Sequence, residues 1–116
     1  MEPKSPKLLQ DIGDAAAFVR QVTANKTLDD YRSDRLLRQA VERNFEIIGE
    51  AVGRLAKVDP TTTSKIGEYQ QIISFRNVLI HGYDLIDEAQ VWEVIHTDLP
   101  TLEAKVATML TEEGLE

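Results

Sequence analysis

Apolar residues along this chain return at steps of three and four almost from end to end, and the polar stretches between these runs are short. That is the periodicity of helices that each bury one face. Leu8, Leu9, Ile12, Ala15, Ala16, Val19 and Val22 form one stripe and predict a helix from about Ser5 to Ala24, ended by Asn25 to Thr27. A longer stripe begins at Leu28 and runs through Tyr31, Leu37, Ala40, Val41, Asn44, Ile47, Ile48, Ala51, Val52 and Leu55. Asp29 and Asp30 fall in its first turn, where negative charge complements the helix dipole. An unbroken helix over that span is about 40 Å long at 1.5 Å per residue, more than a small core can cover, so part of the stripe is expected to face another subunit.

Val58 to Ser64 interrupts the pattern with Pro60 and a run of hydroxyls, and reads as a loop. A third helix is expected from about Lys65 or Gly67 to Ile80. Its apolar residues Tyr69, Ile72, Ile73, Phe75, Val78, Leu79 and Ile80 cover more than half its circumference, which predicts burial on two sides, in a central position or at a subunit interface. Gly82 is placed to end this helix and residues 84–86 to turn the chain. Asp87 with Gln90 resembles a capping box for a fourth helix carrying Val91, Trp92, Ile95, Leu99, Leu102, Val106, Met109 and Leu110. Pro100 lies inside it and costs about 3 kcal/mol in a helix interior, so a kink or a break is expected there, with Asp98 as a candidate new cap.

No segment alternates with the two-residue period of a half-buried strand, and no internal repeat is present. The expected fold is an all-α antiparallel bundle of four to five helices, with one long helix and a Pro-kinked or broken last helix, forming a single domain over residues 1–116. Gly49 and Gly53 sit one turn apart within the long helix and cost about 1 kcal/mol each relative to alanine. Close helix packing is the expected reason for them.

Composition adds exclusions more than assignments. With 42% hydrophobic and 28% charged residues, the chain has the balance of an ordinary globular protein. The absence of cysteine excludes a disulfide framework, a thiolate zinc site and a cysteine nucleophile. Its two histidines, His81 and His96, are too far apart in sequence to make an HxxH or HxxxH metal pair, so no metal and no cofactor are expected. No apolar run approaches the roughly 18 residues of a membrane span and the first residues lack a signal-peptide core, which gives a cytoplasmic reading with no membrane partner. The net charge of −7 argues against broad nucleic-acid affinity. Yet from Asp84 onward there are nine acids against Lys105 alone, so residues 1–83 are close to neutral and a local cationic site is compatible with the total.

The polar chemistry gathers in Arg76-Asn77-Val78-Leu79-Ile80-His81-Gly82-Tyr83. Cutting RNA without a metal requires removal of a proton from the ribose 2′-hydroxyl, charge stabilisation at the phosphoryl oxygens and protonation of the leaving 5′-oxygen. Histidine is suited to the proton transfers because it titrates near neutrality. Arginine offers a permanent charge in a planar fork that pairs with two phosphoryl oxygens. Tyrosine donates a hydrogen bond or stacks on a base. On a continuous helix, however, Arg76 and Tyr83 lie about 20° apart while His81 stands about 140° from Arg76. Two copies of the helix meeting across a twofold axis would place two arginines and two histidines in one cleft.

The spacing Arg76, Asn77, then His81 and Tyr83 resembles the Arg-x4-His-x-Tyr signature of the HEPN superfamily in its HepT-like toxin branch. DRLLRQAVERNFEIIGEAVGRL at 34–55 is similar to that family's long second helix, and VWEVIHTDLPTLEAKV at 91–106 to its last segment. The chain departs from the family at Glu68-Tyr69, where relatives tend to carry Pro-Trp. The resemblance implies a HEPN-like homodimeric ribonuclease of a type VII HEPN/MNT toxin–antitoxin system, paired through the third and long second helices. In that picture Arg76 and His81 are catalytic, Asn77 supports them, the substrate is RNA, with tRNA and mRNA among the candidates and the choice left open, and higher oligomers are open. It also implies a partner, an MntA-type nucleotidyltransferase antitoxin that transfers AMP to Tyr83.

Other roles stand beside these. Arginine, histidine and glycine near a helix end also serve plain capping. Tyr83 can anchor a turn, and Asn77 can be an ordinary polar helix position. Glu46 and Glu50 can orient Arg76 or His81, or pair with Arg43 and Arg54. His96 fits a surface or structural role and Trp92 the core. The alternative for the whole chain is a non-catalytic helical module that binds a nucleotidyltransferase.

Overall fold

Several helix starts in this protein are set by side chains that accept the first free backbone amides. The computed structural model describes residues 1–114, and among them all regular structure is helical. Helix α1 spans Ser5–Thr23, with Pro6 in its first turn, where the missing amide costs nothing. It ends ahead of Asn25, whose φ of 62° lies in the left-handed region that asparagine tolerates.

Helix α2 (Leu28–Ser33) opens with a reciprocal capping box: the Asp30 amide donates to the Thr27 hydroxyl at 3.1 Å and the Thr27 amide to the Asp30 carboxylate at 2.9 Å. Here the single long second helix expected from spacing is corrected. Asp34 is extended, at φ −114° and ψ 98°, and its carboxylate accepts the Leu37 amide at 3.1 Å, so a separate helix α3 (Arg35–Val58) starts there. At 24 residues α3 is still the longest element, about 36 Å. The expected loop at 58–64 is corrected in the same way. Asp59 caps helix α4 (Pro60–Ser64) by accepting the Thr62 amide at 3.0 Å, with Pro60 at the first helical position.

Gly67, at φ +72°, reverses the chain, and helix α5 runs from Tyr69 to His81, starting and ending later than the periodicity suggests. Gly82 does terminate it, through its amide to the Val78 carbonyl at 2.9 Å, but at φ −115° rather than in a left-handed turn. A 3-10 turn (Tyr83–Leu85) leads to helix α6 (Glu88–His96). Asp87 caps α6 through the Ala89 amide at 2.9 Å, without the reciprocal bond from Gln90 that a capping box requires.

The last helix is broken at Thr97, not kinked at Pro100: α7 spans Asp98–Glu112. Pro100 thereby falls in the first turn of α7, where no intrahelical amide is needed. Asp98 is the first helical residue and not the cap, a position held by Thr97.

Helix α3 is the axis of the molecule. It packs along α1 and α5, and against α2 and α4 at its two ends, while α7 closes the other side of α1 and α6 bridges α7 and α2. The core joins Leu9, Ile12, Ala16 and Val19 of α1 to Val41, Ile48, Val52 and Leu55 of α3, and to Val91, Leu99, Val106 and Leu110 from the last two helices. Trp92 is half-buried, its ring centroid 5.4 Å from that of buried Tyr31. No helix among the described residues is long and apolar enough to cross a membrane.

Of the two settings expected for two-sided burial of α5, the central position within one chain is corrected. Only Leu79 is fully buried, Tyr69, Ile72, Ile73 and Phe75 are partly covered, and Val78 and Ile80 are exposed. Phe75 meets Phe45 of α3 edge to face at 5.3 Å. α5 thus lies on α3 as a flanking helix with its far side open.

Candidate active site

Arg76, Asn77 and His81 all stand on the continuous helix α5, and Tyr83 follows one residue past its end. Because the helix is unbroken, Arg76 and His81 are separated by about 140° around its axis and about 7.5 Å along it. Arg76 is turned toward α3. Its stem crosses Gly49, where an added Cβ would lie 2.2 Å from the Arg76 Cβ, 2.6 Å from Cγ and 3.5 Å from Cδ. The close packing expected at Gly49 is therefore found. At Gly53 it is not, since a Cβ there would meet nothing within 4 Å.

The Arg76 Nη1 donates to Asn77 Oδ1 at 3.0 Å, while Nε is enclosed and has no acceptor. Side chains adjacent in sequence usually diverge on a helix, so this bond depends on the guanidinium folding back over its neighbour. Arg76 and Asn77 are brought together; His81 is not joined to either. It is exposed at the last position of α5, where its side chain has solvent access.

Tyr83 is 83% exposed, whereas Tyr31 is fully buried and Tyr69 is half-covered. Among the three tyrosines, it is the one a large reagent can reach. Leu85, two residues on, is also exposed.

The two α3 carboxylates considered as partners of the motif are engaged with other residues. Glu46 pairs with Arg43 at 3.6 Å and Glu50 with Arg54 at 2.7 Å, both along α3. No ion pair to Arg76 is present among the described residues, and Asn77, a neutral acceptor, orients its guanidinium. A cavity of about 270 Å³ between the end of α1 and the α6–α7 junction is lined by Arg20, His96, Leu99 and Glu103, and includes none of the motif residues. His96 places Nδ1 2.7 Å from the Trp92 carbonyl and packs its ring at a tilt against that of Trp92, with centroids 4.7 Å apart, which gives it a structural setting. The motif itself is spread over an open surface, with a seated cation on one side of α5 and an exposed imidazole on another.

The concentration of polar chemistry and the family resemblance singled out Arg76, Asn77, His81 and Tyr83 but did not connect Arg76 to Gly49. The available signal was the cost of a glycine in mid-helix, which marks close approach without saying what approaches.

Residues 12–109 match the family model described as "Ribonuclease HepT-like". The chain is 32% identical over 111 residues to the "Putative RNase" of Caldanaerobacter subterraneus subsp. tengcongensis, covering 95% of this chain and 98% of that protein. It is 29% identical over 97 residues to the "Probable ribonuclease HepT" of Thermococcus cleftensis, covering 84% and 87%. A third relative, the "Gamma-glutamylcyclotransferase and putative RNase" of Methanocaldococcus jannaschii, is 30% identical over 104 residues, and this chain spans only 46% of its length. No solved structure matches the chain significantly.

Proposed function

The chain belongs to the family of HepT-like ribonucleases, and on that footing we propose that it is a metal-independent endoribonuclease, the toxin of a type VII HEPN/MNT toxin–antitoxin module. Arg76 holds the scissile phosphate and stabilises charge on its oxygens. His81 accepts the proton of the ribose 2′-hydroxyl as the bond from that oxygen to phosphorus forms. The bond from phosphorus to the 5′-oxygen breaks, and the leaving oxygen takes a proton from a second histidine.

The observation that carries this reading is the placement of Arg76 and His81 on one continuous, one-sided helix. Their side chains point apart, so a single protomer offers the phosphate-holding and proton-transfer groups without joining them. Pairing of two protomers across α5 and α3 completes the set with two arginines and two histidines. It also covers the open face of α5, including Val78 and Ile80, which are exposed in the single chain. Asn77 keeps Arg76 oriented.

The exposed Tyr83 is the acceptor for AMP from an MntA-type nucleotidyltransferase partner. The added bulk and negative charge beside the RNA site repel the substrate backbone.

Purified protein incubated with tRNA and mRNA in EDTA tests the central claim, alongside His81→Ala and Arg76→Ala. Cleavage by the wild type that both substitutions abolish is expected. Cleavage that survives both, or that requires an added divalent metal, overturns the mechanism, and intact RNA in all three reactions favours a non-catalytic module that binds the nucleotidyltransferase.

A further inference from the structure

We propose that Gly49 is a positioning residue for Arg76, and that Gly49 and Asn77 together present the guanidinium to a phosphate end-on, through its two terminal nitrogens. The functional half of this inference rests on the ribonuclease reading; the positional half rests on geometry alone.

The seat is specific to one position. Any side chain at Gly49 must enter the space occupied by the Arg76 stem, since its first carbon would come within 2.2 Å of the Arg76 Cβ. The two atoms nearest that point, Cβ and Cγ, belong to the root of the arginine and not to its flexible tip, so relief requires α5 to lift from α3. Gly53, one turn further along α3, faces open space. Small size is needed where Arg76 crosses and not along the helix in general.

The seat decides which edge of the guanidinium is usable. Arginine has five N–H donors and forks a phosphate in one of two ways, side-on through Nε and one Nη or end-on through both Nη atoms. With the stem laid across α3, Nε is enclosed and unpartnered, which closes the side-on approach. Nη1 spends one of its two N–H groups on Asn77 Oδ1 at 3.0 Å, which fixes the plane of the group and leaves three donors on the terminal pair. An enclosed donor without an acceptor is uncommon in folded proteins, and here it is the consequence of the seat.

The test reads the Arg76 Nε–H directly by nitrogen-edited NMR, assigned through its loss in Arg76→Lys, together with RNA cleavage. Wild type, Gly49→Ala and Gly53→Ala are compared, with folding checked by circular dichroism and thermal melting. In the wild type the Nε–H should exchange about tenfold or more slowly relative to exposed arginines. Gly53→Ala should keep that protection and cleave within about twofold of wild type, whereas Gly49→Ala should lose the protection and about tenfold or more in kcat/KM.

Retention of slow exchange in folded Gly49→Ala overturns the proposal, whatever happens to cleavage. If Gly49→Ala does not fold, the wild type decides alone: a slowly exchanging Nε–H supports the seat and a rapidly exchanging one refutes it. If the wild type cuts no RNA, the ribonuclease reading falls, while the exchange comparison still decides whether Gly49 positions Arg76.

Discussion

The Ser5 hydroxyl donates to the Asp59 carboxylate at 2.7 Å, joining the start of α1 to the start of α4 across 54 positions of sequence. The same buried carboxylate accepts the Thr62 hydroxyl at 2.7 Å, the Thr62 amide at 3.0 Å and the Glu2 amide at 3.1 Å. Asp59→Ala should destabilise the protein by about 2–3 kcal/mol in urea denaturation, because it strands these donors.

The bonds from Thr62, with those from Ser5 and Glu2, outweigh desolvation and hold the Asp59 carboxyl well below the usual carboxylate range. A depressed folded-state value means that its stabilising contribution is complete above the unfolded value of about 4 and declines as pH falls below it toward the folded value. Between pH 7 and pH 3 the stability gap separating wild type from Asp59→Ala should narrow only at the acid end. A gap that widens on acidification contradicts the assignment.

Tyr31 is fully buried, and its hydroxyl has no hydrogen-bond partner. Burial pushes the phenol up from its ordinary value, a sign of the unfavourable setting for its ionised form. Tyr31→Phe should therefore match the wild type or gain up to about 1 kcal/mol, and Tyr31→Ala should lose about 3–5 kcal/mol by leaving a cavity. Trp92, the sole tryptophan, packs at a tilt against this ring and reports both changes through its fluorescence.

Gly53→Ala should raise stability by about 0.5–1 kcal/mol through helix propensity, because the added methyl meets nothing. Thermal melts of this variant measure that gain without disturbing the site.

Asn77 tests how Arg76 is held. Asn77→Ala should slow RNA cleavage about three- to tenfold by freeing Nη1, and Asn77→Asp should slow it further, because a carboxylate would compete with the phosphate for the cation. Arg76→Lys should be worse than Asn77→Ala, since an ammonium cannot fork. Single-turnover rates give the order, and an aspartate variant faster than the alanine one would contradict this role.

Exposure makes Tyr83 the expected acceptor of AMP. With a cognate nucleotidyltransferase and ATP, the intact mass should rise by whole AMP units in the wild type and stay unchanged in Tyr83→Phe. A gain of that mass in Tyr83→Phe would move the acceptor elsewhere.

Much of the architecture is legible from apolar spacing because α1, α3 and α7 each bury a single stripe. The break at Asp34 is hidden from periodicity, since buried Tyr31 of α2 remains in phase with the stripe of α3. What reveals it is cap chemistry at Asp34, which a count of apolar positions does not weigh. The short helix α4 is masked similarly: Pro60 reads as a breaker unless Asp59 before it is read as a cap.

The residues of the candidate site were legible as a cluster in sequence, and their connections in space were not. Arg76 and Asn77 are neighbours in sequence, yet their bond depends on the guanidinium folding back over Asn77, which adjacency on a helix does not by itself give. The Gly49 contact depends on the register between α3 and α5, which no single-helix pattern encodes. The surplus of apolar residues on α5 was readable, but one chain supplies a cover for only one side.

The one-sided packing of α5 also divides labour within the fold. The hydrophobic core is assembled almost wholly from other helices, with Leu79 the only fully buried contribution from α5. Side chains on the outer face of α5 can thus be exchanged without dismantling the scaffold, and the same bundle can carry an active, an altered or an inert reactive face.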